Sequence, residues 1–323
     1  MEFIREIFSI PFGYLIGFFY NISGNYLLSL LFMTICVKLI LLPSSIKQQK
    51  SMAKSQRMQP KIKRIKEKYG SNQQKMQEEM NALYAREGYS AMTGGCTSML
   101  IQFPIMMGVY LVNYRILSYV LRIPENVLET IKAAVRALPE FANNKRGEYQ
   151  IELMAIEYFD KLDKSQIPAD VVDKIEVFID KFSLFGVDLA LTPNVKMGAT
   201  LLWLIPILTG VTSLMMAVYT YLRQRKTNPE MANNPSMGCM SLMTPVMSVW
   251  FSFLFPASVG VYIIMSSILS FIQMVVLYQI YSPKKVLAKT MVDETINRRA
   301  REKIIKNVAE TLSEDENRGV DND

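Results

Sequence analysis

The sequence predicts an all-α integral membrane protein: five transmembrane helices enclosing a hydrophilic groove, with a cytoplasmic helical hairpin. Three observations carry that expectation. Half of the 323 residues are apolar, yet the chain holds 36 Lys/Arg and 29 Asp/Glu, so apolar and charged residues are sorted into separate blocks. Five apolar stretches are long enough to cross a bilayer as helices. Polar residues recur at helical spacing inside those stretches rather than at random.

Residues 1–24 read as an N-terminal amphipathic or interfacial helix on the external side, rich in Phe and Tyr and broken by Pro11 and Gly13. A short extra span is the alternative. Glu2 and Glu6 stand against Arg5, and neither a small-residue cleavage site nor a lipobox cysteine follows, so no cleavable signal is expected.

Residues 25–43, NYLLSLLFMTICVKLILLP, form the first span. Nineteen residues make a helix of about 28 Å, close to the hydrocarbon thickness of a bilayer. The stretch carries one charge, Lys38. A lysine at the centre of a span costs about 2.5–3.5 kcal/mol on insertion scales. Either Lys38 snorkels to the nearby interface, or its ammonium sits in a wet cavity within the membrane.

Residues 44–93 turn hydrophilic, with eleven Lys/Arg against four Glu. Met58, Ile62, Ile65 and Tyr69, then Met76, Met80, Leu83 and Tyr84, recur at helical spacing on either side of Gly70-Ser71-Asn72. That pattern predicts a basic cytoplasmic hairpin of two amphipathic helices, about 45–69 and 72–87, with Pro60 a candidate kink in the first. Residues 94–117 are the second span. Residues 118–196 are an external helical region with ten Lys/Arg and thirteen Asp/Glu from 119 onward. Pro124 and Pro168 mark helix starts there.

Residues 197–222 are the third span, 223–238 a short cytoplasmic loop, 239–256 the fourth span and 257–281 the fifth. Residues 282–323 form a cytoplasmic tail, basic first, then acidic and expected to be disordered. The positive-inside rule sets the orientation. The hairpin and the short loop carry the Lys/Arg excess, as does the membrane-proximal half of the tail, and the 118–196 region does not. The N-terminus is then outside, the C-terminus is cytoplasmic, and the chain is a multi-pass protein of a bacterial-type cell membrane.

The composition also excludes. There is no histidine, which removes the commonest general base and metal ligand. Cys36, Cys96 and Cys239 show no metal-ligand spacing and read as free thiols. No P-loop and no catalytic pair of carboxylates with a base is present. The five spans contain no Asp or Glu, which lowers proton- or cation-coupled transport. No enzyme activity, cofactor, metal or DNA partner is expected.

The candidate site lies along the polar stripes. Lys38 and Thr34 share a face of the first span, and Gln102 and Asn113 do so in the second. Thr209 and Ser213 lie in the third, Ser248 in the fourth, and Ser270 and Gln273 in the fifth. Any one stripe is explained by hydrogen bonding across a helix interface. Five stripes together, with an ammonium that has no carboxylate to pair with, point to a hydrated cleft.

Several stretches resemble the YidC family of membrane-protein insertases, in the five-span form lacking a signal peptide. CVKLILLP at 36–43 resembles its first-span signature, and SIKQQKSMAKSQRMQPKIKRIKEKYG at 45–70 its basic hairpin. MLIQFPIMMGVY at 99–110, FGVDLALTPN at 185–194, IPILTGVTSL at 205–214 and TPVMSVWFSFLFPASVGVY at 244–262 continue the resemblance in order. It covers about residues 10–120 and 183–285.

The resemblance implies a five-span bundle with a groove open to the cytoplasm and the lipid. It implies a membrane-protein insertase and chaperone acting on nascent membrane proteins. The ribosome, membrane lipid and a Sec-type translocon are the implied partners. The family's groove charge is usually Arg, and Lys38 stands at the matching position, keeping the charge without the guanidinium fork. Met106, Met107 and Phe253 map onto an apolar slide for substrate. Lys61, Lys63, Arg64, Lys284, Lys285, Arg298 and Arg299 are the candidate cytoplasmic capture and ribosome-contact residues. The chain departs from the family where Met216 and Ala217 replace a Gln pair and Ile263 replaces an aromatic. A channel or anion transporter using Lys38, and a membrane-anchored scaffold acting through its hairpin, are the alternatives.

Overall fold

In the computed structural model the chain is helical almost throughout, and residues 2–87, 96–142, 148–193, 200–227 and 235–320 are described below. The element order begins α1 (Glu2–Ser23), α2 (Tyr26–Ile40), α3 (Leu42–Tyr69), α4 (Gln73–Arg86) and α5 (Cys96–Tyr114). Three short helices and two longer ones follow: α6 (Ile116–Tyr119), α7 (Glu125–Arg136), α8 (Pro139–Ala142), α9 (Ile151–Glu157) and α10 (Ala169–Lys181). Strands β1 (Ser183–Leu184) and β2 (Val187–Asp188) pair antiparallel. The chain ends with α11 (Leu204–Thr227), α12 (Pro235–Leu254), α13 (Ala257–Ile280) and α14 (Pro283–Val320). An all-α membrane protein therefore stands, with one two-stranded hairpin that the sequence reading did not anticipate. Two compact units divide the chain: residues 1–43 with 95–274, and residues 44–94 with 275–323.

Among the described residues, two helices pass as membrane spans on length and composition, Leu201–Arg223 and Ala257–Ile280. A third passes if the bent pair Tyr26–Ile40 and Leu42–Ala53 counts as one. The first expected span is shorter than its apolar run: α2 ends at Ile40 with Leu41 as its C-cap, and α3 begins at Leu42. Asn25 caps its start, its side chain accepting from Leu27 N and Leu28 N.

The N-terminal helix is not broken where expected. Helix α1 runs through Pro11 and Gly13 without interruption. Ser9, Gly13 and Gly17, four residues apart, form one small-residue stripe that admits Tyr119 of α6. A Cβ on Gly13 would lie 2.4 Å from Tyr119 Cδ1, and one on Gly17 2.6 Å from Tyr119 O. Ser9 Oγ and Tyr119 Oη are hydrogen bonded at 2.9 Å. Ile16 is buried with them, while Ile10, Tyr14, Phe18 and Ile22 form an exposed apolar stripe on another face.

The core of the first unit is centred on the start of α2 and the helices of the 118–196 region. The Tyr26 ring is fully buried and meets Phe182 at 4.8 Å and Phe178 at 6.0 Å, both edge to face. Leu128, Ile131 and Val135 of α7 are all buried. Val171, Ile175 and Phe178 of α10 are buried too, on one apolar stripe of that helix. Pro124 and Pro168 occupy the N-cap positions of α7 and α10.

In the second unit α3 and α4 form the hairpin, with Met58, Ile62 and Leu83 buried and Ile65, Met80 and Tyr84 packed on them. Helix α3 passes through Pro60. Asn72 caps α4 by accepting from Lys75 N at 3.1 Å. The acidic end of the tail differs from expectation, since α14 is helical through Val320. Its Lys, Glu, Ala and Arg content favours a helix, and Arg298 pairs with Glu302 one turn on at 2.8 Å.

Candidate functional site

Lys38 lies in the last turn of α2, two residues before the helix ends. Its ammonium donates to Ser270 Oγ of α13 at 2.6 Å. Ser270 Oγ in turn donates to Ser266 O at 2.7 Å. Thr34, one turn before Lys38, is buried and donates to Leu30 O at 2.6 Å. Lys38 and Thr34 line a small cavity with Met33, Val37 and Leu41 of the same segment, Ile105 and Val109 of α5, and Tyr262 of α13. Its volume is about 10 Å³, room for roughly one water.

The structure thus joins three of the expected groove residues, Lys38, Thr34 and Ser270, and separates others. Asn113 lies at the far end of α5. It accepts a hydrogen bond from the Tyr26 hydroxyl and donates to Val109 O at 2.8 Å. Thr209 and Ser213 are buried on α11, and Thr209 donates to Ile205 O at 2.8 Å. Ser248 donates to Thr244 O at 2.9 Å. Gln273 Nε2 is buried without a hydrogen-bond partner among the described residues. The side chain of Gln102 lies outside the described residues. Folding a hydroxyl back onto the carbonyl four residues earlier satisfies it inside its own helix. For that reason a hydroxyl stripe does not by itself open a cleft, and the space beside Lys38 is water-sized rather than wide.

The slide residues divide similarly. Met106 and Met107 are half-buried on α5. Phe253 packs edge-on against Trp203 at 5.3 Å. Of the basic set, Lys61 pairs with Glu87, Lys63 is 3.9 Å from Glu67, and Arg64, Lys285, Arg298 and Arg299 are exposed. The Lys284 side chain lies outside the described residues.

A second polar locus, missed by sequence reasoning, joins α6 to α9. Glu152 is buried, and its carboxylate accepts from Ser118 N at 2.9 Å and Ser118 Oγ at 2.7 Å. Burial pushes its carboxyl above the ordinary range, while the Ser118 hydrogen bonds, Lys132 and Arg115 pull the other way. It borders a cleft of about 300 Å³ with Arg115, Lys132, Arg136, Glu148 and Tyr149. Arg136 and Glu148 form a two-point pair at 2.9 and 3.0 Å across that cleft. Nothing in the spacing around Glu152 distinguished it from the solvated acids of the same region.

The sequence matches the model of the 60Kd inner membrane protein family over residues 18–285. The chain belongs to that family. With its apolar helices, membership makes it a bacterial inner-membrane protein. Proteins named membrane protein insertase YidC are similar over part of the chain. The one from Oleidesulfovibrio alaskensis is 42% identical over 93 residues, 29% of this chain and 17% of that protein. The one from Buchnera aphidicola is 41% identical over 100 residues, 31% of this chain and 18% of that protein. The one from Clostridium perfringens is 36% identical over 114 residues, 34% of this chain and 48% of that protein. The matched stretch is therefore less than half of each of these relatives. All the residues lining the Lys38 cavity fall within the family interval, whereas most of α1 and of α14 lie outside it.

Proposed function

We propose that this protein is a membrane-protein insertase and chaperone. In this reading α2, α5, α11, α12 and α13 are five spans. At 19 and 20 residues, α5 and α12 reach about 28–30 Å, enough for a bilayer core. The N-terminus and the 118–196 region face outward, and the hairpin and tail face the cytoplasm, following the Lys/Arg excess.

The observation that carries the reading is Lys38. Its ammonium sits between helices, and among the described residues its hydrogen bond goes to a neutral hydroxyl, Ser270. A charge so placed is expensive and signals a role. An acidic residue in the flank of an entering segment supplies the counter-charge that the spans lack. The flank then leaves the cytoplasm without facing bare hydrocarbon, and the apolar part of the segment partitions into lipid, each buried CH₂ contributing about 0.8 kcal/mol. No nucleotide is needed for such a step. The water-sized cavity is the closed state in this scheme, and opening separates α2 from α13. The exposed cations Arg64, Lys285, Arg298 and Arg299 then meet ribosomal RNA or anionic lipid, with a Sec-type translocon as a further partner.

Purified protein in vesicles, offered a short single-span substrate with acidic residues in its flank, tests this. Protease-protected substrate above the level of empty vesicles is the expected result. Anion leak without protected substrate would instead favour the channel reading.

A further inference from the structure

Strands β1 and β2 are joined by Phe185 and Gly186 alone, with Ser183 opposite Asp188 and Leu184 opposite Val187. Both turn residues have positive φ, 53° and 78°. Such a turn suits Asn-Gly or Gly-Gly, and a bulky side chain in the left-handed region is strained. The Phe185 side chain is not held there by packing, since the residue is 76% exposed. An exposed aromatic on a strained turn calls for a partner outside the chain.

Its position supplies one. A Cβ on Gly186 would lie 3.9 Å from Leu201 Cδ2, and Leu201 opens the apolar span Leu201–Arg223. The residues after β2 cap the other clear span. Ala257 N donates to Leu191 O at 2.8 Å and Ser258 N to Leu189 O at 3.0 Å, filling orphan donors at the start of α13. The hairpin is therefore pinned to the same end of both spans. Leu201, Ile207, Val211 and Leu214 are all exposed, an apolar stretch that runs along α11 and past its start to Leu201, beside Gly186 of the turn. That level, where apolar helices end, is where amphipathic and aromatic side chains sit at the headgroup boundary.

We infer that Phe185 is a membrane-interface anchor. Its ring enters the boundary between acyl chains and headgroups at that end of the bundle. It fixes the height of the β hairpin and, through Leu189 and Leu191, of the α13 start.

The test places Trp at the tip (Phe185→Trp) in full-length protein whose own Trp203 and Trp250 are changed to Phe. The protein is reconstituted in phosphatidylethanolamine/phosphatidylglycerol vesicles with lipids brominated at graded depths. Blue-shifted emission, quenched most strongly by bromines nearest the headgroup, is expected. Solvent-like emission that no bromolipid quenches overturns the proposal. Phe185→Asn supplies a second arm without the reporter. Asn tolerates the left-handed turn, so unfolding temperature in detergent stays level or rises. A fall of several degrees would mean that the ring packs within the protein, and the anchor is withdrawn.

Discussion

Lys38 and Ser270 meet at 2.6 Å across α2 and α13, and the serine passes the contact on to Ser266 O. The lysine is thus parked on a hydroxyl that has a backbone acceptor of its own. Ser270→Ala takes away the ammonium's acceptor while leaving the helix intact. Leaving the half-buried ammonium without its acceptor costs at most about 1–3 kcal/mol, so thermal unfolding in detergent moves lower. Ser270→Thr keeps the hydroxyl and loses less than Ser270→Ala.

Asn113 is a structural partner of Tyr26. Tyr26→Phe leaves Asn113 Oδ1 buried without its donor and lowers stability by about 1–3 kcal/mol. Insertion per folded molecule stays at the wild-type level in Asn113→Ala, measured in vesicles with protein amounts matched. A selective loss of insertion at full stability would return Asn113 to the groove.

The close approach of α1 to Tyr119 depends on two glycines. Opposite Gly17 lies the Tyr119 carbonyl, and opposite Gly13 lies the root of the Tyr119 side chain, which rotation of the ring does not move. Gly17→Ala and Gly13→Ala therefore each cost about 1–3 kcal/mol by overpacking. Unfolding curves of both variants in one detergent should fall below that of the wild type, and a curve at the wild-type level would contradict the close approach.

Glu152 gives the 118–196 region a pH dependence of known sign. Its folded carboxyl binds its proton more tightly than an unfolded one, which titrates near about 4.3. Between those two values the folded state holds more protons, so stability falls as pH rises through the window and is highest below it. The charges facing the carboxylate are Arg115 and Lys132. Glu152→Gln keeps an acceptor for Ser118 N, lets the Ser118 hydroxyl turn to accept, and removes the titration. Denaturant midpoints followed from about pH 4 to 7 should slope less in this variant than in wild type.

The helices were legible where apolar spacing was strong. Met58, Ile62 and Leu83 mark the hairpin core in sequence and in structure. Pro124 and Pro168 mark helix starts because the first positions of a helix need no intrahelical N–H, although α1 and α3 run through Pro11 and Pro60. Gly13 suggests a break because glycine weakens helices locally, yet its spacing from Ser9 and Gly17 is that of a helix contact. The β hairpin was illegible because Phe-Gly is a poor turn signal. At the site, Lys38 and Thr34 stand one turn apart on one helix, so their neighbourhood was legible. Whether Ser248 or Thr209 faced a cleft was not, because a hydroxyl bonded to its own helix reads the same in sequence as one facing water.

Insertion of a single-span substrate with an acidic flank, compared among wild type, Lys38→Arg and Lys38→Ala in vesicles, tests the proposed role of the charge most directly. Arg is expected to sustain insertion and Ala to reduce it at least tenfold, the equivalent of about 1.4 kcal/mol. Equal insertion by all three, with all three equally folded, would contradict it and leave Lys38 as a side chain that merely reaches for the interface.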